Sequence, residues 1–244
     1  MNPRRIVLIL ALAVTASLVS AGDYVSQIAE IAAMSGDMRA RAITEFVRNT
    51  GKDEDTAEAA TQALENGLLS ATSPMRDDEL YIAFVEEMLR SGYPNRVRNQ
   101  WMLNAVKLNR PGSMLPQFDY ETRDGVCHTS DSLRGRITVL MFYDPDCGDC
   151  AEAIARIQND NRLADAINRG KLHMICVYAD GDRDAWLAAP DKIPAGWTDG
   201  FDTGRIAGEE LFIIPMTPAI YIVGADGKIL RKEALVEDVL SLQF

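Results

Sequence analysis

The chain has 244 residues, 36 acidic and 25 basic, for a formal net charge of −11 at pH 7. So acidic a surface argues against nucleic acid and against anionic membrane as partners. The four cysteines are not needed as staples in a chain long enough to bury adequate cores, so their positions bear on chemistry first.

The first residues, Met1-Asn2-Pro3-Arg4-Arg5, are followed by a largely apolar run from Ile6 to about Val19 and by Val19-Ser20-Ala21. A positive start, a short apolar run and small closing residues describe a secretory signal peptide over residues 1–21. The run is shorter than the ~20 residues needed to span a bilayer, and no second stretch reaches that length. The expectation is a protein of the periplasm or another exported compartment, with no stable membrane insertion after signal removal. A mature length of roughly 220 residues suits two modest domains of ~100 residues each.

From Gly22 to about Arg110 the pattern is helical. Ser35 or Asp37 can cap a helix that runs through Phe46 and stops near Gly51. Asp53 begins another, with Glu54 and Asp55 near its positive end. Asp77 and Asp78 start a third, whose Leu80, Phe84 and Met88 recur beside Tyr81 and Val85 as one buried stripe ended by Gly92. A helix from about Arg96 to Leu108 carries Val97, Trp101 and Ala105 on one face, with Trp101 expected in the helical core. Arg110-Pro111-Gly112 breaks the pattern, which divides the mature chain into an all-helical domain at 22–112 and a second domain at 113–244.

The second domain alternates strands with helices. Phe118–Glu121 and Cys127–Thr129 flank Asp124-Gly125 as a hairpin. Ile137–Tyr143 reads as a strand buried on both faces, Gly148 to about Ile167 as an amphipathic helix, and Leu172–Tyr178 as the next buried strand. A short helix at Arg183–Ala189, a loop through Pro190, Pro194 and Gly196, and a brief helix near Thr203–Glu210 follow. Ala219–Val223 and Lys228–Arg231 form a second hairpin around Ala225-Asp226-Gly227, and Glu233–Leu242 a terminal helix.

Cys147-Gly148-Asp149-Cys150 stands directly after the strand Ile137–Tyr143. A strand that delivers two such cysteines into the first turn of a helix builds a reactive dithiol, because the helix start stabilises a thiolate. Cys176 lies in an apolar strand and reads as a small buried residue; a bridge between it and Cys127 is open on spacing alone. With a single C-x-x-C and only His128 and His173, no metal site is expected.

The order strand, C-x-x-C, helix, strand, helix, X-Pro, hairpin and last helix is that of thioredoxin. Phe118 through Cys150, with Asp124-Gly125, Ser132-Leu133-Arg134-Gly135-Arg136 and Phe142-Tyr143, resembles the exported, TlpA- or ResA-like thioredoxin branch. Ser73 through Tyr81, Asn109-Arg110-Pro111-Gly112 and Tyr143-Asp144-Pro145-Asp146-Cys147 resemble one bacterial subgroup, which bears an N-terminal helical domain of undefined function. The resemblance implies an α/β thioredoxin-like fold, a mixed central sheet flanked by helices, preceded by a small all-α domain. It implies a thiol–disulfide oxidoreductase with no organic cofactor, in which Cys147 attacks and Cys150 resolves the mixed disulfide. Thr217-Pro218 resembles the family's cis-proline, so that Thr217, Pro218, Asp146, Gly148 and Asp149 would form the substrate-binding surface.

Departures from the family pattern are informative. Asp146 replaces the usual aromatic residue, and Gly148-Asp149 lacks the proline common between the cysteines. No carboxylate occupies Ile137–Tyr143, and Pro215 stands where relatives often carry a basic residue. Two carboxylates near the sulfurs oppose the helix dipole and raise the thiol pKa relative to a neutral dipeptide. The expected role is reducing or isomerising, on a client protein with disulfide or thiols, with an unidentified redox donor. A non-catalytic scaffold on the same fold and a thiol-based Cu(I) carrier stay open as alternatives.

Overall fold

The structure is a computed structural model that describes residues 21–179, 181–214 and 216–244. Residues 1–20 of the expected signal peptide, and Pro215, lie outside the described residues. Five helices come first: α1 (Ala21–Ala33), α2 (Gly36–Thr50), α3 (Glu54–Leu68), α4 (Asp78–Ser91) and α5 (Arg96–Lys107). Among the described residues, seven strands and five further α-helices follow. They are β1 (Asp119–Thr122), β2 (Cys127–Thr129), β3 (Ile137–Tyr143), α6 (Gly148–Gln158), α7 (Asn161–Asn168), β4 (Leu172–Tyr178) and α8 (Arg183–Ala188), then β5 (Thr198–Asp202), α9 (Arg205–Gly208), β6 (Ala219–Val223), β7 (Ile229–Arg231) and α10 (Val236–Leu240). The chain divides into two compact units, with the division after Arg96.

In the first unit, carboxylates set the starts of α3 and α4. Asp53 accepts from the Thr56 N–H at 2.9 Å and Asp77 from the Leu80 N–H at 3.0 Å, each satisfying an amide that the first turn leaves unpaired. Gly92 ends α4 in the left-handed conformation, where a side chain would be strained. The stripe Leu80, Tyr81, Phe84, Val85 and Met88 is buried, and the Phe46 ring meets Phe84 edge-on at 5.3 Å. Tyr93 packs so closely on Gly51 that a Cβ there would sit 2.7 Å from its ring.

Helix α5 packs in the second unit, where the buried Lys232 Nζ donates to the Val106 carbonyl at 2.6 Å in its last turn. Its buried residues are Asn99, Leu103 and Val106. The sequence pattern had pointed to the Val97–Trp101 face, yet Val97 is 86% and Trp101 52% exposed. The inward stripe runs instead along Asn99, Leu103 and Val106, at four- and three-residue steps.

The sheet has the order β2-β1-β5-β4-β3-β6-β7. Parallel pairing joins β3 to β4 and β4 to β5, while β6 runs antiparallel to β3. Both faces of the centre are covered. Val139, Met141, Tyr143 and Cys176 pack with Ile154, Leu163 and Trp186 on one side, and Leu140, Phe142, Ile175 and Tyr221 with Ile206 and Phe212 on the other. The near-continuous apolar runs of β3 and β4 follow from that two-sided burial.

Three elements differ from the sequence reading. The helix expected from Gly148 to Ile167 is two, because Asp160 caps a second start by accepting from the Arg162 and Leu163 amides. Strand β5 occupies a stretch left unassigned between the loop through Gly196 and the helix expected near Thr203, and the terminal helix is confined to Val236–Leu240. Cys127 and Cys176 are both free thiols. They lie on β2 and β4, three strand positions apart or ~14 Å at the usual strand spacing, too far for a bridge.

Candidate active site

Strand β3 ends at Tyr143 in the middle of the sheet, and the chain must turn at once into α6. Asp144 makes that turn. Its carboxylate accepts from the Asp146 N–H at 2.7 Å and its carbonyl from the Cys147 N–H at 3.1 Å. Cys147 then caps α6: its sulfur accepts from the Cys150 N–H at 3.1 Å. Cys150, one turn deeper, is 1% exposed within the core beneath, whereas Cys147 is partly open to solvent.

The facing wall comes from β6. Ala219 pairs with Phe142, so the two residues before it fall opposite the turn that carries Cys147. The Thr217–Pro218 peptide is cis, and the Cys147 thiol lies 3.5 Å from the Thr217 carbonyl oxygen as a donor. Structure thus brings Cys147, Cys150 and Thr217 into direct contact, with Pro218 next along the chain. Asp146, Gly148 and Asp149 are exposed around them. A Cβ at Gly148 would meet nothing within 4 Å, so the surface beside the sulfur is open there.

The two thiols are driven apart electrostatically. Partial burial alone would raise Cys147, but hydrogen bonds with the Cys150 and Thr217 side chains and from the Cys150 amide outweigh it, and the thiol falls below its ordinary 9.0. Asp149 opposes this, as its charge requires. Cys150 is pushed up to about 11, first by burial and then by its hydrogen bond to Cys147. One sulfur is therefore the readier anion and the other the better-held proton. The bond from the Cys147 thiol to Thr217 exists only while the proton is on sulfur, so ionisation frees the carbonyl.

Sequence reading missed what lies at the other end of the Tyr143 side chain. The Tyr143 hydroxyl donates to Asp199 of β5 at 2.8 Å; Trp186 Nε1 donates to the same oxygen at 2.8 Å, and Arg123 Nε to the other at 2.6 Å. The Arg123 guanidinium also lies over the Trp186 ring, 4.1 Å from its centre. β3 itself carries no carboxylate, as its composition says, but β5, the next strand but one in the sheet, brings one to its end. Among the described residues no group of three or more His, Cys, Asp or Glu side chains could hold a metal ion.

Residues 132–236 match the family model of the thioredoxin-like domain. The second unit has a thioredoxin-like fold. A thioredoxin-like protein from Bacteroides caccae superposes with a TM-score of 0.76 at 23% identity, over 90% of this chain and 80% of that one. A conserved protein of unknown function from Bacteroides fragilis matches with a TM-score of 0.52 at 26% identity, over 54% of this chain and 96% of that one. None of the curated proteins matches the chain. The thioredoxin-like domain with a helical region before it is thus the level at which the resemblance read from the sequence holds.

Proposed function

We propose that the protein is an exported thiol–disulfide oxidoreductase that reduces or isomerises disulfides of client proteins through Cys147 and Cys150. The observation that carries this reading is the split between the two sulfurs: Cys147 is accessible and lowered, Cys150 buried and raised. Attack on a disulfide needs a thiolate, and the second thiol must wait protonated until the first has reacted.

In the cycle, the Cys147 thiolate attacks one sulfur of a client disulfide. The client S–S bond breaks as the Cys147–client bond forms, and the departing client sulfur takes up a proton. Cys150 then loses its proton and attacks the Cys147 sulfur, which releases the second client thiolate and leaves a Cys147–Cys150 disulfide. The client gains two electrons and the protein loses two; a thiol donor from outside restores the dithiol. Thr217, Pro218, Asp146, Gly148 and Asp149 form the docking surface in this reading, and export sets the compartment.

Turnover of a small neutral disulfide with dithiothreitol as terminal reductant tests the proposal. The reading expects catalysis that Cys147→Ser abolishes. Equal rates for wild type and Cys147→Ser would overturn it.

A further inference from the structure

Beside the dithiol lies a cleft of about 410 Å3, within the range that holds side chains and small ligands. Phe142, Tyr178 and Phe212, all buried, line it together with Asp144, Glu210 and Met216. Two of its lining residues touch Cys147: Thr217, whose carbonyl oxygen meets the thiol at 3.5 Å, and Asp144, whose carbonyl accepts from the Cys147 N–H at 3.1 Å. Met216, 75% exposed, stands immediately before Thr217 as an adaptable apolar edge.

The charge on this cleft is one-sided. Asp144 and Glu210 contribute two carboxylates, and among the described residues no lysine or arginine lines it. We propose that the cleft selects clients with a lysine or arginine next to the cysteine that Cys147 attacks, an inference that rests on the reading of Cys147 and Cys150 as a working dithiol. A polypeptide joined to Cys147 passes Met216 and Thr217, so a side chain adjacent to its cysteine falls at the mouth of the cleft. The methylene stem of lysine or arginine covers apolar and aromatic surface while its cationic end stays near the carboxylates. An uncharged aliphatic chain fills the floor but brings no cation to either carboxylate, and an acidic one meets like charge.

The experiment uses the reduced full chain and three blocked pentapeptides, identical except for Lys, norleucine or Glu on both sides of a cysteine capped by a mercaptoethanol disulfide. The readout is the ratio of second-order rate constants, which a general loss of reactivity does not move. At low salt the lysine peptide is expected to react about fivefold faster than the glutamate peptide, with norleucine between them, and the ratio to shrink as salt screens it. Glu210→Gln should bring the ratio towards unity and Glu210→Lys invert it. Glu45→Lys, an exposed change in the first unit with the same effect on net charge, should leave it within twofold. Equal rates for lysine and norleucine, a ratio indifferent to Glu210, or an equal response to Glu45→Lys would overturn the inference while the dithiol reading stands. Failure of all three peptides to react at Cys147 would overturn both.

Discussion

Asp199 accepts a hydrogen bond from the Tyr143 hydroxyl at 2.8 Å. That contact ties β5 to the end of β3, from which Cys147 is launched. Burial and the Asp199 charge both hold the Tyr143 phenol above its ordinary pKa, so it stays protonated and the bond persists across the physiological range. The same carboxylate also takes Trp186 and Arg123, and Arg123 reaches on to the Trp186 and Ala189 carbonyls at 2.6 and 3.0 Å.

Removing the charge should therefore cost more than removing one bond. Asp199→Asn leaves Arg123 without its anion in a largely buried setting and is expected to lower stability by about 3 kcal/mol. Tyr143→Phe removes one hydrogen bond and should cost about 1 kcal/mol. Urea unfolding of the two variants checks the order; equal losses would show that the ion pair adds nothing.

Asp149 sits beside the Cys147 sulfur and raises its pKa. Asp149→Asn should lower it further, so that reaction of Cys147 with iodoacetamide near neutral pH becomes faster and the midpoint of the rate–pH profile moves to lower pH. Cys150, raised to about 11 and buried, does not contaminate the profile below that range. A midpoint that stays put, or rises, would show that Asp149 does not act on the sulfur.

His173 gives the fold a dependence on acid. Its Nε2 pairs with Thr198 Oγ1 at 2.8 Å, its Nδ1 is buried without a partner, and burial drives its pKa from 6.5 to about 4. The unfolded chain binds this proton first. Stability is full above the ordinary histidine pKa, falls as pH drops through the window from 6.5 to about 4, and loses nothing more from this group below it. The loss is on the order of 2 kcal/mol after allowance for its partial exposure. Comparing unfolding of wild type and His173→Gln across that window isolates the effect, which should be absent from the variant.

Gly51 tests the first unit separately. With a Cβ only 2.7 Å from the Tyr93 ring, Gly51→Ala forces the ring or the end of α2 to shift. Tyr93 is also anchored by its hydroxyl to Thr50 Oγ1 at 3.1 Å, so the shift should cost roughly 1–3 kcal/mol. A variant with unchanged unfolding would mean that the ring yields freely.

The elements legible in the sequence are those whose pattern arises from burial alone. β3 and β4 are apolar apart from Thr138 and His173 because the sheet is covered on both faces, and their limits matched residue for residue. Strand β5 was hidden because three residues of Thr198-Asp199-Gly200-Phe201-Asp202, the two aspartates and the glycine, are poor strand formers. Its polar residues are used: Asp199 in the network at Tyr143, and Asp202 as acceptor from the Ile206 amide. Gly200 is small because the Tyr120 ring would stand 3.0 Å from a Cβ there. No local pattern announces such long-range partners. Likewise the break between α6 and α7 was carried by Asp160 alone, a single capping residue inside a continuous apolar periodicity.

The site was half legible. The spacing of Cys147 and Cys150 after a buried strand marked both sulfurs, and the X-Pro before β6 marked the facing wall. The net direction of the Cys147 shift was not legible, because it depends on hydrogen bonds with Cys150 and Thr217 that outweigh both burial and the charge of Asp149.

Trapping is the most direct test of a nucleophilic Cys147 resolved by Cys150. Cys150→Ser is incubated with a disulfide-linked peptide and the adduct is mapped by mass spectrometry. The account predicts a mixed disulfide at Cys147 that accumulates, dissolves in dithiothreitol and is absent from the Cys147→Ser, Cys150→Ser double variant. No adduct, or an adduct only at the exposed Cys127, would contradict it.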